Sequence, residues 1–268
     1  MTDAQPPSDL MTRRVCLKLD GMDGVPVRRN IPVQTGSPDL LMDLYYPPDH
    51  PIEGRRPAVI IVAGYRGRYK DVGWTVSMAQ LIAMSGMIAI AYSNREPVSD
   101  LQALITHVHE RPASLDIVPS RIGIMAVSGN VPTALSIIME ETSRPPLCAA
   151  FSYGCLLDLD GATDVADAAR QFGFANPVEG RSVAHLRHDV PLLIVRAGQN
   201  HFPAMNTSID RFMHHAVAAN LPITFINYAQ GQHAFDLLDD NSTSRDILRQ
   251  TLGFLRRHLL RAEPDGVR

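Results

Sequence analysis

Residues 121–139 read Arg121-Ile-Gly-Ile-Met-Ala-Val-Ser128-Gly-Asn-Val-Pro-Thr-Ala-Leu-Ser-Ile-Ile-Met139, an apolar strand that runs straight into one serine and then into a helix. That order is the layout of a nucleophile elbow. A sharp strand-to-helix turn lifts the serine hydroxyl above the edge of a parallel sheet and leaves the next amide, here Gly129 N–H, free to hold a developing oxyanion. Small neighbours are required, because Cβ atoms would clash across so tight a turn. Ala126 and Asn130 stand where the G-x-S-x-G pattern carries its outer glycines. Alanine is the next smallest side chain, and asparagine tolerates left-handed backbone better than most residues. A βα turn with an incidental serine is the plain alternative, and the rest of the chain decides between the two.

Outward from the elbow, strands and helices alternate. Upstream, 58–63 is a continuous apolar strand, 74–85 a helix, 88–92 a strand and 98–110 a helix. Downstream, 131–140 is the elbow helix, 147–153 and 192–195 are strands, and 205–219 is a helix. Alternating β and α with strands apolar on both faces means a mostly parallel sheet wrapped by helices, an α/β class. Two earlier strands, about 25–33 and 40–46, flank the turn-rich Thr35-Gly-Ser-Pro-Asp39 and are expected to pair antiparallel at one edge. No strand is legible between 156 and 189. That insertion is the expected place for a small lid over the Ser128 pocket, with a surface excursion as the alternative.

An elbow serine needs a base, and in this architecture the order along the chain is serine, acid, histidine, each past the end of a strand. Residues 221–228, rich in β-branched and aromatic side chains, read as the last strand, followed by Ala229-Gln-Gly-Gln-His233. His233 therefore sits just beyond a strand end on a glycine-containing loop. A closing helix follows over 243–260, with Ile247, Leu248, Leu252, Leu255 and Leu259 on its apolar face.

With these residues in place the chain resembles an α/β-hydrolase, and within that fold the dienelactone hydrolase-like branch of serine esterases and lactonases. The stretches that carry the resemblance are 40–49, 55–67, 121–135, 190–203 and 231–236. It implies Ser128 as nucleophile and His233 as base, with a small ester or lactone as substrate and no cofactor. Two departures stand out. Dienelactone hydrolases proper use a cysteine nucleophile, and the histidine that often opens the oxyanion loop is Ala63 here.

The third triad position departs as well. Arg196-Ala-Gly-Gln-Asn200-His-Phe-Pro203 matches the loop on which the family carries its acid, and Asn200 stands where the aspartate belongs. A carboxylate fixes the histidine tautomer and stabilises the imidazolium; an amide does only the first. Asp158, past the strand ending near 153, is the alternative acid, and its plain reading is a solvated loop carboxylate. Asp236, three residues after His233, is placed awkwardly. The loop after the 58–63 strand is expected to supply a second oxyanion donor, the Tyr65 amide, with Gly64 and Gly67 allowing close approach. Arg66, beside it, is expected to pair with a substrate carboxylate, and Arg66 and Arg68 as surface cations are the alternative.

Composition fits an enzyme of one domain. The 268 residues are 45% hydrophobic and 20% charged, enough for one large core. A net charge of −3 supplies no basic field for nucleic acid. Three cysteines without framework spacing point to a reducing interior, and with no apolar leader and no run of transmembrane length the expected location is cytoplasmic, off the membrane. A homodimer is compatible with the sequence. The expected organisation is a disordered lead over 1–12, one domain over 13–261 and a flexible tail over 262–268. The pairs His107/His109, His185/His188 and His214/His215 lack acidic or cysteine partners at zinc-site spacing and read as surface histidines rather than a metal site. No P-loop or dinucleotide fingerprint occurs. A same-fold acyltransferase or thioesterase, and a non-catalytic binding protein on this scaffold, are the competing functions.

Overall fold

The computed structural model describes residues 12–34, 40–49, 54–140 and 144–260. Except for Thr12, the segments expected to be a lead and a tail lie outside the described residues, as do residue 261 and the turn at 35–39. An eight-stranded sheet forms the centre, in the order β1 (Val27–Pro32), β2 (Leu41–Tyr45), β4 (Ile88–Tyr92), β3 (Arg56–Ile61), β5 (Ile117–Val127), β6 (Cys148–Ser152), β7 (Leu192–Gln199), β8 (Ile223–Gln232). β1 pairs antiparallel with β2 and β2 with β4, while every other neighbouring pair is parallel. This is the α/β-hydrolase fold.

Among the described residues seven helices accompany the sheet: α1 (Gly73–Met84), α2 (Pro97–Glu110), α3 (Val131–Ile138), α4 (Asp164–Phe172), α5 (Pro203–Ala218), α6 (Phe235–Leu238) and α7 (Ser242–Leu259). Their ends follow local chemistry. Proline, which has no N–H to leave unpaired, opens α2 and α5 at the first helical position. Asn241 caps α7 by accepting from Ser244 N at 3.0 Å, and left-handed Gly173 ends α4.

Alternation along the strands builds two cores, one on each face. Ile60, Ile90 and Ile124 point to the side of α2, α3 and α5, where Leu104, Leu135 and Phe212 bury them. Val59, Ile61 and Met125 point the other way, onto Met78 and Leu81 of α1 and Leu252 and Leu255 of α7. No strand forms over 156–189, where α4 and a single 3-10 turn at Val183–His185 stand instead. The three cysteines are free, and Cys148 and Cys155 are buried. Among the described residues no helix is long and apolar enough to cross a membrane.

The strand order places the site. β4 lies on one side of β3 and β5 on the other, so the chain winds outward in both directions from the β3/β5 pair. Crevices open at the carboxyl ends of strands where the order reverses in this way. Val62 N donates to Met125 O at 2.8 Å, which holds the two exits level. The loop beginning at Ala63 and the turn beginning at Ser128 thus leave the sheet side by side.

Candidate active site

Ser128 has φ of 54°, in the left-handed region that costs a non-glycine residue of order 1 kcal/mol or more. The strain is what throws its side chain up from the turn between β5 and α3. Its Oγ lies 3.1 Å from Nε2 of His233, which directly follows β8. Two residues 105 positions apart are therefore in hydrogen-bond contact, as the elbow layout requires.

Asn130 plays a different part from the one its left-handed tolerance suggested. Its backbone is right-handed, with φ of −82°, and the residue at positive φ is the serine itself. The Asn130 side chain is a strut: Nδ2 donates to Val127 O at 3.0 Å, and Oδ1 accepts from Gly64 N at 2.7 Å. It ties the loop after β3 to the elbow. A Cβ on Gly64 would lie 2.8 Å from Gly129 O and 2.9 Å from the Asn130 Cα, so glycine is demanded there by backbone meeting backbone. Tyr65 follows, its ring stacked on Tyr69 at 5.6 Å and edge-on to Phe174 at 5.8 Å. Over the elbow, a Cβ on Gly129 would strike the Tyr65 hydroxyl and come within 2.6 Å of the Phe174 ring. The 156–189 insertion reaches the elbow through Phe174, and Ala175 N donates to Gly64 O at 2.9 Å.

His233 is half-buried among rings. Tyr153 and Phe202 each stand 5.0 Å from it, centroid to centroid, and His201 stands at 5.7 Å, all steeply inclined. Its Nδ1 is buried and meets no hydrogen-bond partner among the described residues. Burial, helped by the nearby His201, pushes the imidazole down to about 4. It is neutral at pH 7.

Neither expected orienter reaches that nitrogen. Asn200 folds back on its own loop, with Oδ1 accepting from Phe202 N at 3.0 Å and Nδ2 against the Met205 sulfur at 3.5 Å. An Asx turn satisfies the side chain locally and removes it from His233. Asp158 is a helix anchor: its two oxygens accept from Val165 N at 2.8 Å and Ala166 N at 2.9 Å, at the start of α4. Four orphan amides at a helix N-terminus outbid a distant imidazole for that carboxylate. Asp236 is wholly buried and takes the Trp74 indole N–H at 2.7 Å and the Tyr153 hydroxyl at 2.8 Å, one layer behind His233.

The pocket-facing orientation expected of Arg66 is also corrected. Its guanidinium pairs with Glu96 at 3.0 Å on an exposed surface, and Arg68 pairs with Asp71 at 2.7 Å. A cleft of about 240 Å³ opens instead between α4 and the start of α5. Phe172, Phe202 and Met205 give it apolar walls, and Asp164 and Asp167 stand at it. Phe202 belongs to both places, since the ring lining the cleft also packs on His233. Of the histidine pairs, His107 is buried rather than at the surface, and His185 Nδ1 closes a capping box with Ser182. Among the described residues no group of three or more His, Cys, Asp or Glu side chains could hold a metal ion.

Sequence reasoning missed the Asn130 strut and the Tyr153, Phe202 and Phe174 walls. Tyr153 carried one usable signal, its place at the end of β6, and Phe202 another, its place two residues past Asn200.

No family model and no curated relative matches the chain. Solved structures do. A bacterial heroin esterase is 16% identical over 92% of this chain and 88% of its own, with a TM-score of 0.70. Esterase 2 of Thermogutta terrifontis, phosphonylated by sarin, is 19% identical over 88% of this chain and 95% of its own, at 0.69. An α/β hydrolase enzyme from the metagenome of Lake Arreo, Spain, is 16% identical over 90% and 87%, at 0.66.

Proposed function

We propose that this chain is a serine hydrolase that cleaves a small carboxylic ester or lactone through an acyl-enzyme, in the manner of the dienelactone hydrolase-like branch it resembles. The observation that carries the proposal is the Ser128 Oγ to His233 Nε2 contact at 3.1 Å on a turn strained to φ 54°. Esterases among the structural neighbours, one of them phosphonylated by sarin, support the same class. Ser128 Oγ attacks the carbonyl carbon while Nε2 takes its proton, and the Gly129 and Tyr65 amides hold the oxyanion. The imidazolium returns the proton to the leaving oxygen, and water repeats the cycle on the acyl-enzyme. The 156–189 insertion would serve as the cover of this site, a reading supported by Phe174 over Gly129 and by the Ala175 hydrogen bond to Gly64. The substrate would be a free small molecule met in the cytoplasm, and a homodimer remains compatible with the chain.

The unpartnered Nδ1 favours one second reading, a binding protein on a hydrolase scaffold. To accept from Ser128, the imidazole must carry its proton on Nδ1, where no acceptor waits among the described residues. A depression from 6.5 to about 4 makes the imidazolium about 3 kcal/mol harder to form than in water. A low rate is compatible with hydrolysis; retention of both Ser128 and His233 in contact argues for it. Fluorophosphonate labelling with the adduct located by mass spectrometry separates the readings. The expected result is one adduct on Ser128 and hydrolysis of short activated esters, abolished in Ser128→Ala with an unchanged melting temperature; an unlabelled Ser128 would establish the binding protein.

A further inference from the structure

The side chain of Tyr65 stands over the elbow. Its ring is held on two sides, by Tyr69 and Phe174, and its backbone by the neighbouring Gly64 contacts to Asn130 and Ala175. Its hydroxyl meets no hydrogen-bond partner among the described residues. The residue is only half-buried, so the hydroxyl is open to a ligand at the reacting centre. The position is specific: the hydroxyl occupies the space a Cβ on Gly129 would need. That Cβ would be one bond from Cα and two from the Gly129 nitrogen, so the phenol is a near neighbour of the N–H that faces the oxyanion.

We propose that the Tyr65 side-chain hydroxyl is a third donor to the oxyanion, beside the backbone amides of Gly129 and Tyr65 itself. The inference rests on the hydrolase reading of Ser128 and His233. As the Oγ–C bond forms, the carbonyl π pair moves onto oxygen and the serine proton passes to Nε2. Tyr65 keeps its own proton and shares it with that oxygen until the C–O bond to the leaving group breaks. Burial raises the phenol well above its ordinary range, so it keeps its proton at neutral pH. The site has reason to need it. With no carboxylate in hydrogen-bond contact with His233 Nδ1 among the described residues, support for the charge separation of the transition state falls to the oxyanion end, where a preorganised donor acts.

Tyr65→Phe removes one oxygen and keeps the ring stack. The expected outcome is a loss of about 10²-fold in kcat with KM nearly unchanged. Binding of a trifluoromethyl ketone, which forms a tetrahedral oxyanion on Ser128, should weaken by a similar factor, while a ground-state carboxylic acid product binds as before. Wild-type labelling at Ser128 is the control for the underlying reading. If wild type labels and turns over but Tyr65→Phe keeps its kcat, or loses only KM, or weakens product and ketone alike, the phenol is a packing residue and the hydrolase reading stands. If wild type neither labels nor turns over, the hydrolase reading fails and takes this inference with it.

Discussion

At the scale of a single residue, His233 sets the behaviour of the site. A histidine boxed by Tyr153, Phe202 and His201 loses solvation that its cation needs, so the neutral base persists to low pH. The acid limb of kcat/KM for a non-ionising ester should therefore fall near pH 4, where the folded imidazole protonates, instead of near 6.5. His201→Ala should move that limb upward, because the neighbouring His201 ring is one cause of the depression. A limb at 6.5 in wild type would mean that a counter-charge reaches Nδ1 in solution. Stability follows the same shift with a definite sign. The unfolded imidazole takes its proton near 6.5 and the folded one near 4, so this contribution is intact above 6.5 and is lost as pH falls between the two, by about 3 kcal/mol in all.

At the scale of elements, the loop after β3 is held from both ends. Asn130 fixes its start, and its far end is fixed by an ion cluster at the sheet edge. Lys70, nearly wholly buried, pairs with Asp43 of β2 at 3.2 Å and with Asp71 at 3.0 Å. Asp43 also accepts from Asn30 N at 2.8 Å, where β1 bulges at φ 55°, and pairs with Arg29 at 3.2 Å. One carboxylate thus joins β1, β2 and the segment that carries Tyr65. Asp43→Asn should destabilise by about 3 kcal/mol, because it leaves Lys70 under-neutralised in a buried site, and should lower kcat through the displaced loop. Chemical denaturation and turnover measure the two effects, and a loss of stability below about 1 kcal/mol would show that Asp71 suffices. None of this was legible in the sequence. Strand and helix existence follow from local periodicity, and β4, α2 and α7 lie within two residues of where apolar spacing put them. The bulge at Asn30 and the Asp43–Lys70 pair depend on which strands become neighbours, and periodicity is silent on that.

At the scale of the whole molecule, the β3/β5 reversal collects residues 64–65, 128–130, 153–155, 174–175, 200–202 and 233 at one end of the sheet. Ser128 and His233 were legible because strand-end chemistry has a sequence signature. The third member was not: Asn200 sits on the right loop, yet its Asx turn and the capping demand of α4 on Asp158 are side-chain outcomes. Both cores are continuous with this end. Phe235 and Tyr228, in the α1/α7 core, pack edge-on at 5.3 Å, and Phe235 also meets Tyr153 at 5.6 Å, so the wall of His233 is core as much as site. Movement at the histidine is transmitted to packed aromatic rings rather than absorbed by a loose loop.

Trp74, whose indole N–H holds Asp236, is the only tryptophan in the chain. The molecule therefore has a built-in optical reporter. All tryptophan emission comes from one buried ring, and that ring shares a carboxylate with Tyr153, which touches His233. Native fluorescence should lie to the blue of the unfolded chain and follow unfolding as a single transition that coincides with circular dichroism. Acylation of Ser128 by a non-chromophoric ester should change its intensity without unfolding, and Asp236→Asn, which alters the hydrogen-bond acceptor of the indole, should change the resting spectrum. An unresponsive emission on acylation would mean that the layer behind His233 is rigid during turnover, and turnover could then be followed only through its products.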